Sequence, residues 1–364
     1  MSTPLRSSIA GGVLAAVSAT VTTADVPAVA ADIAPVHSLV ARVMEGVGTP
    51  ELIVQPGTSP HGYSMRPSEA RAVEQADAVF WIGPELTSWL GRTLETLAGD
   101  AVVTGLLDAE GTRTLEFREG ATFEAHDHGD EDHDAEAHDD HDDGEDAQDH
   151  EHAEGHEDGH DHEHDEAEHD HEEEHDHDHE DADHAHDGEG HAHEGVDPHA
   201  WLDPENGKAW LDVIAAELSE LDPENAETYR SNAAAGQQEI DAASEDVRET
   251  LDRIGPLTFV VFHDAYHYFE ARFDYEAVGA IALSDASDPS PARVEEVQDT
   301  VEALGVECVF AEPQFNQNMV RVVLDGTEGR SGVIDPLGMD IDTGPDFYPD
   351  LLHSIADQIA ACKG

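Results

Sequence analysis

Arg66-Pro-Ser-Glu-Ala-Arg-Ala-Val-Glu-Gln-Ala-Asp-Ala-Val-Phe-Trp-Ile-Gly83 is a helix that runs into a strand. Pro67 suits the first turn of the helix and Ser68 can help cap it. Asp77 to Gly83 is a short, nearly continuous apolar run, the pattern of a strand covered on both faces. The same alternation extends outward. Val26 to Ala34 is apolar and is followed by helical spacing over His37 to Val47. Glu51 to Gln55 and Ala101 to Leu107 read as further strands. Strand, helix, strand at this rhythm predicts a parallel sheet with helices packed on it.

A second series follows further along. Leu257 to Phe262 predicts a strand, His263 to Phe273 a helix and Tyr275 to Leu283 a strand. Pro291 to Leu304 predicts a helix with Ser290 as its cap. Cys308 to Ala311 reads as a strand, Asn316 to Glu328 as a helix, Gly332 to Asp335 as a last strand and Tyr348 to Cys362 as a closing helix. Before this series lie a helix over about 207–220 and a long Ala-rich helical stretch. The latter starts at Asp222-Pro-Glu-Asn, runs to about Arg253 and stops at Gly255-Pro256. About thirty helical residues would span roughly 45 Å. The expected fold class is α/β. Two α/β lobes, each with a mainly parallel sheet flanked by helices, are joined by one long helix, with a ligand cleft between them. The expected segments are a signal peptide over 1–24, a first lobe over 25–221, the linking helix over 222–254 and a second lobe over 255–364.

Residues 126–193 depart from ordinary composition: 20 are His and 33 are Asp or Glu, with no Lys, no Arg and no apolar side chain larger than Ala. Such a tract cannot bury enough surface to offset its ordering entropy, so it is expected to form a disordered loop. Imidazole and carboxylate together suit zinc and other borderline divalent metals. His126, His128, His162, His164, His175, His177 and His179 are therefore candidate accessory weak zinc sites. His171-Glu-Glu-Glu-His175 matches the metalloprotease pattern H-E-x-x-H. Its neighbours are only acids and His, so no packed helix would hold both His on one face.

Of the formal net charge of −68 the tract carries 33 negative charges, so the remainder still holds −35. That balance repels nucleic acid and anionic lipid and attracts cations. Arg6 followed by the apolar run Ile9 to Val17 and small residues has the form of a secretory signal, with cleavage after Ala19 or Ala24. No Cys lies near it to take a lipid anchor. The expectation is a soluble periplasmic monomer. In an oxidising compartment Cys308 and Cys362 suggest one disulfide, with two buried free thiols as the other reading.

Six His lie outside the tract. His61 follows a strand and the loop Pro56 to Pro60. His199 sits in the Pro-bounded loop Asp197-Pro-His-Ala-Trp201. His263 comes directly after the apolar run 258–262. Ligands of open α/β sheets bind at the carboxyl ends of strands, so each of the three is placed to face a cleft. Taken singly, a loop His is more often solvated than metal-bound, and the wide spacing does not show that they converge. His267 could chelate with His263 at i, i+4 but reads better as a packed or surface residue, and His37 and His353 read as non-ligands.

At these positions the chain resembles a known family. Pro60-His61-Gly-Tyr-Ser-Met-Arg-Pro-Ser68, Ala76-Asp77-Ala-Val-Phe-Trp-Ile-Gly-Pro-Glu85, Asp197-Pro-His-Ala-Trp-Leu-Asp203, Val260-Val-Phe-His-Asp-Ala-Tyr266, Phe310-Ala-Glu-Pro-Gln-Phe315 and Ile334-Asp-Pro-Leu-Gly338 are similar to the zinc-binding components of bacterial zinc ABC importers, the ZnuA-like proteins. The match runs in order over nearly the whole mature chain and includes the His/acid insertion. The resemblance implies that His61, His199 and His263 hold Zn²⁺, the transported ligand, between the lobes. Asp335 matches an Asp that manganese-preferring members place in the site. It is the candidate fourth ligand, beside water or a tract histidine. Some members carry Glu before the first His, where this chain has Pro60. Cys308 and Cys362 match a disulfide of some members.

Three neutral imidazoles favour zinc over harder manganese, and Asp264 and Glu312 are candidates to orient the rings. The implied function is periplasmic zinc capture and delivery to an integral-membrane permease, with a cytoplasmic ATPase acting indirectly. No nucleic acid and no enzymatic activity are expected: the sequence contains neither G-x-x-x-x-G-K-[ST] nor G-x-S-x-G. Two other readings are a zinc buffer whose tract is the main site and an extracellular metallohydrolase. The buffer predicts many weak sites; the hydrolase needs an open coordination position and a general base beside the metal.

Overall fold

The computed structural model describes residues 26–118, 120, 122–123, 195–282 and 289–364. The signal segment and every tract histidine named above, from His126 to His179, lie outside the described residues.

The first lobe is built from β1 (Val29–Ala31), α1 (Ala34–Val43), β2 (Glu51–Leu52), α2 (Pro67–Glu74), β3 (Ala78–Trp81), α3 (Ser88–Leu97) and β4 (Val102–Gly105). Its four strands pair in parallel in the order β2-β1-β3-β4. A short 3-10 turn over Ala200–Leu202 then leads into α4 (Pro204–Leu221) and α5 (Ala226–Ile254). The second lobe has β5 (Phe259–His263), α6 (His267–Phe273), β6 (Gly279–Ala282), α7 (Pro291–Leu304), β7 (Cys308–Ala311), α8 (Asn318–Val323), β8 (Arg330–Val333) and α9 (Phe347–Lys363). Its strands are again all parallel, in the order β6-β5-β7-β8. The two lobes thus repeat one topology, and in each the strand order reverses beside the first strand. A ligand crevice opens at that kind of switch point.

Central strands β1, β3, β5 and β7 are buried throughout, whereas β4 and β8 are more exposed. Helices cover both faces of a parallel sheet, which is why the strands read as unbroken apolar runs. The 29-residue α5 packs along α4, α1 and α9, so it is a supported spine.

Several boundaries differ from the sequence expectation. Pro67 opens α2 as its first residue, so the cap is Arg66, whose N–H donates to Glu69 Oε2 at 2.6 Å; Ser68 lies inside the first turn. Ser290 does cap α7, accepting from Arg293 N at 3.2 Å. The β8 strand begins two residues early because parallel pairing with β7 matches Cys308 to Arg330 and Ala311 to Val333. His263 is the last residue of β5, and α6 starts only at His267. A disulfide joins Cys308, at the start of β7, to Cys362 in α9, with Cα atoms 6.3 Å apart.

Candidate metal centre

Asp197-Pro-His199 folds tightly because one carboxylate oxygen serves two donors. Asp197 Oδ1 accepts the His199 backbone N–H at 2.9 Å and the His199 ring Nδ1–H at 2.7 Å. The opposite lobe repeats this device. Glu312, just after β7, accepts the His263 backbone N–H at 3.2 Å and the His263 ring Nδ1–H at 2.7 Å through Oε1. Strands β5 and β7 are the pair at the switch point of the second sheet, so pairing alone brings His263 and Glu312 together.

Each carboxylate holds its ring as the Nδ1–H tautomer and turns Nε2 forward as a lone-pair donor. The two Nε2 atoms meet at 3.4 Å across the gap between the lobes. Two ligand nitrogens at about 2.0–2.1 Å from one tetrahedral zinc would be ~3.3 Å apart. Both rings are nearly buried.

His61 comes from the loop after β2. Its ring centroid is 5.9 Å from that of His199, and the His199–His263 centroids are 5.2 Å apart. The loop is held at its root: Trp89 Nε1 on α3 donates to the Pro60 carbonyl at 2.8 Å. Tyr63 packs on Trp89 and donates its hydroxyl to Glu69 Oε1 at 2.8 Å. His61, His199 and His263 line one narrow pocket of about 10 Å³, together with Trp201, Phe315, Pro336 and Leu337. In the geometry they have here, no group of three or more His, Cys, Asp or Glu among the described residues is set to hold a metal ion.

Asp335 is buried but does not line this pocket. Its carboxylate accepts Gln314 Nε2 at 2.8 Å, Leu337 N at 3.0 Å and Met339 N at 2.5 Å. Asp264 forms an ion pair with Arg118, which also binds Glu270; the carboxylates bonded to the two ring Nδ1 atoms are Asp197 and Glu312. Arg118 stacks on Phe123, 3.7 Å from the ring centroid. Asp197 stands in the quoted motif but is not among the ring-orienting candidates of the sequence, Asp264 and Glu312. Its signal was the two-residue spacing Asp-x-His, which lets a short carboxylate bond back to the backbone two residues on. Burial, and next the neighbouring Asp264 carboxylate, push Asp197 up to about 8, against the His199 backbone N–H that lowers it. A cation on His199 Nε2 would offset that cost.

The other described histidines do not line the pocket. His37 is buried and bonds the Pro50 carbonyl at 3.1 Å. His353 pairs with Asp246 on the surface at 3.4 Å. His267 sits one turn beyond β5 with Nδ1 4.0 Å from Asp197 Oδ2, and burial lowers its pKa. Because His263 belongs to a strand, the i, i+4 chelate with His267 does not form.

Two parallel α/β lobes on a long helix, with a pocket between the sheet ends, define the class of periplasmic metal-binding proteins. Among solved structures of that fold, a crystal structure of ZnuA aligns with a TM-score of 0.64 at 19% identity, covering 92% of this chain and 98% of that one. The periplasmic zinc-binding protein TroA from Treponema pallidum aligns with a TM-score of 0.65 at 17% identity, covering 93% and 99%. The family model for the zinc-uptake complex component A, periplasmic, matches residues 29–362. The chain belongs to this ZnuA family. The high-affinity zinc uptake system protein ZnuA of Brucella abortus (strain 2308) is 44% identical over 334 residues, 92% of this chain and 91% of the relative. That of Paracoccus denitrificans (strain Pd 1222) is 37% identical over 342 residues, 94% and 93%. Its ligand class is therefore Zn²⁺, and among the described residues no helix is long and apolar enough to cross a membrane.

Proposed function

We propose that the chain captures Zn²⁺ in the periplasm between His61, His199 and His263 and hands it to the membrane permease of an ABC importer, which a cytoplasmic ATPase drives. It performs no chemistry on its cargo. The observation that carries the reading is the 3.4 Å approach of His199 Nε2 to His263 Nε2 with both Nδ1 atoms tied to carboxylates. With each Nδ1–H given to a carboxylate, Nε2 is the ring nitrogen that ligates a metal, and the 3.4 Å separation suits two ligands of one zinc. His61, on a loop rather than a strand, moves in to complete three neutral ligands, a set that suits zinc.

The tract over 126–193 acts as a collector that enriches zinc around the protein. Its imidazoles have no apolar neighbours to preorganise one geometry, so they offer many weak sites. Residues 1–24 export the chain, and the mature protein works as a monomer.

Calorimetric titration of zinc and manganese into the mature protein, with and without residues 126–193, tests the division of roles. Deletion is expected to lower the number of zinc ions bound and to leave one tight site. Loss of the tight site on deletion would make the tract the main site, the zinc-buffer reading. Substituting His61, His199 or His263 by Ala should each weaken the tight site, and unchanged affinity removes that residue from the ligand set.

A further inference from the structure

Gln314 lines the same pocket as the three histidines. Its Nε2 donates to Asp335 Oδ1 at 2.8 Å. Asp335 also receives the backbone N–H groups of Leu337 and Met339, so it stands as an acceptor with three donors. That fixes which way the amide faces: nitrogen toward Asp335, Oε1 away from it. Gln314 Oε1 is buried, and no donor among the described residues reaches it. Such an acceptor is costly to leave unpaired. The side chains of Phe315, Pro336 and Leu337, which line the same pocket, are apolar.

The next step rests on the three-histidine zinc reading above. Zinc on three imidazoles takes a fourth ligand, usually a water, and the metal makes that water a strong donor. We propose that Gln314 Oε1 accepts a hydrogen bond from the water in the fourth position, making Gln314 a positioning residue that biases the site toward zinc. The amide adds an acceptor without adding a negative charge. Asp335, the carboxylate that would bring the site closer to a manganese donor set, is held back by its three donors.

The test uses the mature full-length protein titrated with Zn²⁺, Mn²⁺ and Co²⁺, comparing wild type with Gln314→Met, Gln314→Glu and His199→Ala. Gln314→Met keeps the length of the side chain and removes both the Oε1 acceptor and the Nε2 donor to Asp335. It should weaken zinc binding about 10- to 100-fold and change the visible absorption of bound cobalt, which reports the ligand geometry. The melting temperature of the metal-free protein should fall in addition, because buried Asp335 loses one of its three donors, so the cobalt spectrum carries the test. Gln314→Glu should raise manganese affinity relative to zinc, and it carries the test if Gln314→Met does not fold. An unaltered cobalt spectrum in the folded variant overturns the assignment, even if affinity and melting temperature both fall, because the side chain would then be only structural. His199→Ala separates the two levels of argument. If it abolishes the tight site while Gln314→Met leaves the cobalt spectrum alone, only the Gln314 assignment fails; if it too binds normally, the three-histidine reading fails with it.

Discussion

His199 and His263 arrive from opposite lobes, and each is oriented by one carboxylate that also grips its backbone N–H. Asp197→Ala and Glu312→Ala are therefore expected to cost about 10- to 100-fold in zinc affinity, because the ring loses both its tautomer and its aim. Equal affinity in either variant would show that the ring is held by other contacts. Imidazole must be neutral to bind, so zinc affinity should also fall as pH drops below about 6; a flat profile from pH 7 to 5 would contradict histidine ligation. His61, His199 and His263 could be singled out in the sequence because each follows an apolar run or sits in a Pro-bounded loop. Asp197 and Gln314 could not be ranked the same way. Their importance comes from which atom each turns inward, and that depends on neighbours 2 and 21 residues away.

Among the elements, the strands and longer helices were legible because burial on both faces and a period near 3.6 leave plain patterns. Helix α3 was not. Its sequence, Ser88 to Leu97, is short and half polar, yet Trp89 on it anchors the Pro60 carbonyl beside His61. Strand ends were also blurred, since register with a neighbour decides them. The Cys308–Cys362 disulfide staples α9 to β7 across 54 residues. Replacing both cysteines by Ser should lower stability by about 4 kcal/mol in the chain-entropy model, read as a shift in the denaturant midpoint. The staple lies away from the pocket lining, so zinc affinity should persist; lost affinity would mean that it also shapes the site.

For the whole molecule, the two lobes are locked by buried polar contacts as well as by the long helix. Asp203, fully buried at the start of α4, accepts two bonds from Arg272 of α6, at 2.7 and 2.8 Å. Trp201 Nε1 donates to the Pro336 carbonyl at 2.9 Å, and Tyr348 of α9 donates its hydroxyl to the Trp201 carbonyl at 2.6 Å. Arg272→Ala removes two bonds from a buried carboxylate that keeps Arg113 at 3.5 Å and the Glu205 backbone N–H at 3.0 Å, and should cost about 1.5–3 kcal/mol, measured by equilibrium unfolding. A loss below about 1 kcal/mol, the range of exposed pairs, would mean that water reaches Asp203. These contacts flank the pocket, so they also hold its walls.

The amino-acid sequence by itself determined the α/β class, the two series of strands, the metal-handling chemistry and three of the side chains that meet in the pocket. Hydrophobic period and residue type are local properties, written along the chain. Only the tertiary structure decided that the three histidines share one pocket, that Asp335 is occupied by Gln314 and backbone donors, and that Asp197 and Glu312 stand behind the rings. Convergence of residues 61, 199 and 263 depends on strand order and on how two sheets face each other. No local pattern encodes that geometry, because it is set by which apolar faces bury against which.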